Sequence, residues 1–182
     1  MATGKLIIFS APSGSGKTTI VKELLKIFPQ FEFSISATSR APRGQEQNGV
    51  DYFLLSQEEF RAKVEADEFV EWEEVYNGTC YGTLKSEMER IWSKGNVIIF
   101  DVDVMGGINL KRIFGDNARS IFIMPPSVEV LRERLIGRGT DSAETIEKRV
   151  AKAEQFDCVV VNDILADAVA QTKTIIEEFL AE

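Results

Sequence analysis

Four short apolar runs recur along the chain: Lys5–Ser10 (KLIIFS), Asn96–Phe100 (NVIIF), Ser120–Met124 (SIFIM) and Cys158–Val161 (CVVV). Their apolar residues are consecutive rather than alternating, which predicts strands buried on both faces, as in a parallel sheet. Between the runs, apolar residues take helical spacing. Ile20, Val21, Leu24, Leu25 and Phe28 follow the first strand, and Pro29 ends the pattern. Further helices are predicted over Leu84–Lys94, closed by Gly95, and over Val104–Phe114, closed by Gly115. Others follow at Val128–Ile136, Ala143–Gln155 and Ala166–Leu180. Strands alternating with helices predict an α/β fold with a parallel central sheet covered on both faces. Ligands of such sheets bind outside the carboxyl ends of the strands.

Two stretches break this rhythm. From Phe33 to Glu74 the chain is polar and strand-like, with one short helix announced by the capping box Ser56-Gln57-Glu58-Glu59. It reads as a small mixed insertion over the sheet edge. The second, Gly137-Arg138-Gly139-Thr140-Asp141, links two predicted helices with glycines on either side of an arginine, a composition suited to a moving flap. With 182 residues and no repeat or linker, the chain is expected to form one domain.

Charge narrows the chemistry. Lys and Arg number 21 against 29 Asp and Glu, a net charge of −8, which argues against wholesale binding to nucleic acid or an anionic membrane. A polyanionic ligand must then be held by a local basic cluster. The absence of histidine excludes a His-based triad or metal site. Cys80 and Cys158 are too far apart in sequence to form a C-x-x-C motif, and read as reduced thiols. With no apolar run of membrane-spanning length and no leader-like segment, a cytoplasmic protein is expected.

The first strand runs into Ser10-Ala11-Pro12-Ser13-Gly14-Ser15-Gly16-Lys17-Thr18-Thr19, a phosphate-binding loop in which alanine stands for the first glycine. Backbone N–H groups from Ser13 to Thr18 are expected to face a β-phosphate, aided by the helix dipole. Lys17 would bridge the β- and γ-phosphates and Thr18 would ligate Mg²⁺. Ala11 precedes Pro12, which biases it toward extended backbone with negative φ. Alanine there is expected to cause no strain. Asp101, at the end of its strand, reads as an acid acting on Mg²⁺ through water, or as a polar cap. Arg40 and Arg43 flank Pro42 and suit a second phosphate, with Tyr52 able to donate a hydrogen bond.

Together these motifs resemble the guanylate kinase family. The resemblance runs through FSAPSGSGKTT, SISATSRAPR, NGVDYFLLS, EFVEWEEVYNGTCYGT, IIFDVDVMGG, PPSVEVLRERLIGRGTDS and VVVND, in order over nearly the whole chain. It implies a P-loop three-layer fold with core 1–33, 84–125 and 156–182, a small mixed GMP-binding insertion at 34–83, and a helical lid at 126–155. It implies Mg²⁺-dependent phosphoryl transfer from ATP to GMP. By motif, Arg40, Arg43, Tyr52 and Tyr81 resemble the clamp on the GMP phosphate. Ser36, Glu71 and Thr83 resemble the guanine readers, with Asp103 near the nucleoside. Guanine offers N1–H and N2–H₂ donors that one carboxylate can accept together, and adenine does not. That mismatch discriminates strongly. Arg134, Arg138 and Arg149 resemble lid arginines, of which Arg138 and Arg149 join Lys17 and Arg40 as catalytic expectations. Asn162 resembles the adenine-side asparagine. Ala11 to Thr19, with Arg134 and Asn162, make up the expected ATP contacts.

Ser39 and Ile164 depart from the family pattern, and the stretch from Glu154 to Phe156 is several residues shorter than the family's. Two rival readings stand beside the enzyme. One is a non-catalytic guanylate-kinase-like module binding phosphopeptides; the other is a kinase for a different nucleoside monophosphate. The intact Gly14-Ser15-Gly16-Lys17-Thr18 opposes the first, and Ser36 with Glu71 opposes the second.

Overall fold

The structure is a computed structural model that describes residues 4–12, 14–76, 78–127, 129–130 and 151–182. Nine strands and five α-helices are found among the described residues. Five strands form one sheet in the order β2 (Phe31–Phe33), β7 (Val97–Asp101), β1 (Leu6–Ser10), β8 (Ala118–Met124), β9 (Cys158–Val161). β1 pairs parallel with β8, and β8 with β9. All five residues of β1 are buried, as expected of a central parallel strand apolar on both faces. All four predicted strands are present. The fifth, β2, has only three residues at the start of the polar stretch, too few to show a period.

The chain divides into two compact units, one comprising Gly4–Phe31 with Ile99–Glu182 and the other containing Glu32–Ile98. In the first, α1 (Lys17–Ile27) buries Ile20, Val21 and Leu24, one helical face. α4 (Val104–Phe114) packs on β1 and β8 and is closed by Gly115, as predicted. The last helix, α5 (Leu165–Ala181), packs against β9 and α1 and buries Ala168, Thr172, Ile176 and Phe179 at spacings of four, four and three.

The helix predicted over Ala143–Gln155 does not reach its expected end. Lys152 lies in a turn and Ala153–Gln155 form a single 3₁₀ turn. Ala153 and Phe156 are both buried against Val104 and Phe122, with the Phe122 and Phe156 rings 5.3 Å apart. Phe156 is already extended (φ −98°, ψ 149°) two residues before β9 begins at Cys158, so the chain leaves helical conformation here. The rest of that helix, and all but the start of the one predicted at Val128–Ile136, fall outside the described residues.

In the second unit a four-stranded sheet runs in the order β4 (Phe53–Leu54), β3 (Ala37–Thr38), β6 (Thr79–Leu84), β5 (Phe69–Tyr76). β3 is parallel to β4, while β6 is antiparallel to both β3 and β5. α2 (Gln57–Glu65) begins at the predicted capping box. Ser56 Oγ accepts from Glu59 N at 3.0 Å, and Ser56 N donates to Glu59 Oε2 at 2.7 Å. Such a cap stabilises a helix by about 1 kcal/mol. Phe60 from α2 stacks on Phe69 of β5 and closes a core with Ala37 and Leu84. α3 (Lys85–Trp92) starts one residue later than predicted, because Leu84 is the last residue of β6.

Candidate active site

The glycine loop lies between β1 and α1. Gly14 and Gly16 have φ of 83° and 85°, in the left-handed region where a side chain is strained. Gly16 is the residue that caps α1, and a Cβ there would also collide with Asn162 Nδ2. These two positions need glycine. Ala11 does not: Asp67 is the one non-glycine residue with positive φ among those described. The substitution in the motif falls where proline already holds the chain extended.

Side chains brace this loop from outside. Ser15, fully buried, donates Oγ–H to Pro12 O at 2.7 Å, and its N–H reaches the same carbonyl at 3.2 Å. Asn162 is 6% exposed and donates Nδ2–H to Ser15 O at 2.8 Å. Its own N–H bonds Met124 O at 2.8 Å, so the end of β9 is fixed to the end of β8. One Nδ2–H of Asn162 is thus committed to the loop backbone. α1 carries no acidic residue in its first turn, which leaves the positive end of the helix unneutralised by its own sequence. Lys17 forms an ion pair with Asp101 at the end of β7, the strand beside β1. Thr18 and Thr19 are exposed at the start of α1. Asp103 caps α4, accepting from Gly106 N at 2.7 Å.

The second group lies wholly in the other unit. β5 and β6 set Glu71 opposite Thr83 and Glu73 opposite Tyr81, and Tyr81 lies two residues from Thr83. Residues two apart in a strand share a face, so Glu71, Thr83 and Tyr81 stand on one side of the sheet. Thr83 donates Oγ1–H to Glu71 Oε1 at 2.8 Å. Arg40 follows β3 and donates Nε–H to the Tyr81 hydroxyl at 3.0 Å. Its guanidinium lies 4.9 Å from the Tyr52 ring centre, and the Tyr52 and Tyr81 rings meet edge-on at 6.2 Å. Ser36 contributes its carbonyl to β4, accepting from Phe53 N at 2.9 Å.

One member of this group was missed in the sequence. Glu46 receives Arg40 Nη1 at 2.7 Å and Nη2 at 2.8 Å, and also accepts from Arg43 N at 2.8 Å. The Arg40 hydrogen bond and the Arg43 N–H hold its carboxyl down to about 2. The same contact raises Arg40 above its ordinary range. The available signal was a lone acid three residues past Arg43 in a loop with two arginines. Ser13, Arg134, Arg138 and Arg149 lie outside the described residues.

A left-handed glycine loop between a buried parallel strand and a helix opening Lys-Thr, with an acid at the end of the neighbouring strand, defines a P-loop phosphate-binding α/β protein. The family model described as Guanylate kinase matches residues 3–179. A guanylate kinase of Bacteroides thetaiotaomicron is 57% identical over 185 residues, spanning 98% of this chain and 91% of that protein. One of Porphyromonas gingivalis is 55% identical over 186 residues, spanning 98% of this chain and 99% of that protein. The crystal structure of guanylate kinase from Anaplasma phagocytophilum superimposes with a TM-score of 0.75 at 28% identity, covering 98% of this chain and 87% of that one. The chain belongs to the guanylate kinase family.

The Porphyromonas match extends over 186 positions against 182 residues here, so at least four of its positions have no counterpart in this chain. Ala153–Gln155, in the stretch read from sequence as shorter than the family's, form a 3₁₀ turn.

Proposed function

We propose that the protein is an ATP:GMP phosphotransferase, moving the γ-phosphoryl group of ATP to GMP or dGMP and releasing ADP and GDP. The observation that carries this reading is the Glu71–Thr83 pair on the same sheet face as Tyr81 and Arg40, in a chain that also holds an unstrained P-loop. A carboxylate and a hydroxyl beside a phosphate clamp match the two ends of a guanine nucleotide. Glu71 accepts from N1–H and N2–H₂ of guanine, while Arg40, Arg43, Tyr52 and Tyr81 take the phosphate. Ser36 and Asp103 complete the nucleoside contacts by resemblance to the family.

On the ATP side, Lys17 exchanges Asp101 for phosphate oxygens, and the loop amides and α1 dipole hold the β-phosphate. Asn162 serves this side by holding the Ser15 carbonyl. Mg²⁺ fits the donors present, since the Thr18 hydroxyl and Asp101 carboxylate are hard oxygen ligands. Among the described residues no group of three or more His, Cys, Asp or Glu stands ready to cage a metal. When bound, the ion neutralises charge on the β- and γ-phosphates. Arg134, Arg138 and Arg149 are assigned to that same charge from the resemblance. Such arginines are worth roughly 10³–10⁵ in rate.

The acceptor is already an ionised phosphate oxygen, so no general base is invoked. Positioning and charge neutralisation supply the rate. No described helix is long and apolar enough to cross a membrane. A coupled assay with Mg-ATP and GMP, dGMP, AMP, dTMP and CMP tests the proposal. Turnover of GMP and dGMP is expected. Preference for AMP or dTMP contradicts it, and binding without turnover favours a phosphopeptide-binding module.

A further inference from the structure

Arg40 sits in the acceptor cluster with its hydrogen bonds nearly exhausted. A guanidinium has five N–H donors in a fixed plane. Nε–H goes to the Tyr81 hydroxyl, one Nη1–H to Ala41 O at 3.0 Å, and the second Nη1–H and one Nη2–H to the two oxygens of Glu46. Only one Nη2–H remains without a partner among the described residues. Because Glu46 fills the edge between Nη1 and Nη2, that last N–H lies on the Nε edge, beside Tyr81. Tyr81 accepts from Nε–H and so keeps its own O–H to donate. The cluster is closed on two edges and open on one. The open edge presents an Arg40 N–H and the Tyr81 O–H side by side.

Glu46 creates this arrangement. It is bidentate to a side chain only 9% exposed, and its accepted bond from Arg43 N ties the second arginine's loop to the first. A carboxylate in an anion site subtracts charge, which by itself weakens phosphate binding. In this place it converts a long, rotatable side chain into a fixed donor.

We propose that Glu46 is a positioning residue of the acceptor site, holding Arg40 in the one orientation that offers its last donor together with Tyr81. This rests on the acceptor-site reading above. The test is Glu46→Gln, which keeps the shape but removes the charge and one acceptor oxygen. The KM for GMP should rise about tenfold or more, while the KM for ATP stays within about twofold. An unchanged or lowered KM for GMP would make Glu46 a bystander or a competitor of phosphate and overturn the proposal. Both KM values moving together would make it merely structural, and overturn it too. A second readout is independent of GMP turnover. In ¹⁵N spectra the Arg40 Nη groups should rotate slowly in the parent protein and freely in Glu46→Gln, and equal rotation in both contradicts the proposal. If the parent protein does not phosphorylate GMP, the function fails while this readout still decides the role of Glu46.

Discussion

Around the glycine loop, shape resides in the backbone: Gly14 and Gly16 adopt left-handed conformations, and Ser15 and Asn162 hold carbonyls from outside. Around Arg40 most of the bonds run from side chain to side chain, through Glu46, Tyr81 and the face of Tyr52. The contrast follows from what each region is asked to hold. Backbone amides meet a polyphosphate without regard to the base attached to it. Under the proposed function a guanine must also be told from an adenine, a task the proposal gives to side chains, Glu71 and Thr83. The two regions should therefore fail in different ways.

The harshest way to break the comparison is Lys17→Ala. It removes the loop lysine that pairs with Asp101 and that the proposed function hands to phosphate. Turnover should fall by at least ~100-fold, roughly 2.7 kcal/mol of barrier, with the fold intact by circular dichroism. A variant keeping more than about a tenth of the parent rate would falsify the role of Lys17. Glu71→Ala comes next. Losing a charged acceptor for two guanine donors should cost about 3 kcal/mol, read as a KM for GMP higher by ~100-fold. The KM for ATP should not follow it.

Asn162→Ala sharpens the contrast by attacking the loop from behind. It leaves the buried Ser15 carbonyl without its partner, a cost of about 1–3 kcal/mol. Thermal melting should report lost stability, and the KM for ATP should rise while that for GMP holds. An unchanged melt would show that the loop needs no brace from β9.

The smallest effect concerns pH. Glu46 lies near 2 through its hydrogen bonds from Arg40 and Arg43 N. Glu32 also lies near 2, where bonds from Arg90, Asn96 and Lys94 outweigh the opposing effect of burial. Both folded values are below the ordinary 4.5, so their stabilising contribution is complete above about pH 4.5 and is lost as pH falls through about 2. Carboxyl ¹³C titration should find both midpoints well below 4. A midpoint near 4.5 for Glu46 would mean that its bond to Arg40 does not persist in solution.

The glycine loop was almost fully legible in the sequence, because its requirements are local. A strand, glycines at set positions and a Lys-Thr helix start are written within fifteen residues, and the proline rule even accounted for Ala11. The capping box of α2 and the closing glycines of α3 and α4 were legible for the same reason. The acceptor cluster was legible mainly through family resemblance. Glu71 meets Thr83 across an antiparallel register, and Arg40 meets Tyr81 across forty residues, distances that periodicity does not encode. Glu46 looked like one more acid in an acidic chain. Strand β2 was too short to see, and the helix predicted through Gln155 meets a 3₁₀ turn at Ala153–Gln155 as the chain straightens toward β9.

The most direct test of this division of labour is calorimetric titration of ATP and GMP, separately, into Lys17→Ala and Glu71→Ala. A crossed result is expected, in which Lys17→Ala loses at least tenfold in affinity for ATP and Glu71→Ala at least tenfold for GMP. Each should keep the other nucleotide within about twofold. Equal losses of both nucleotides in either variant would contradict it.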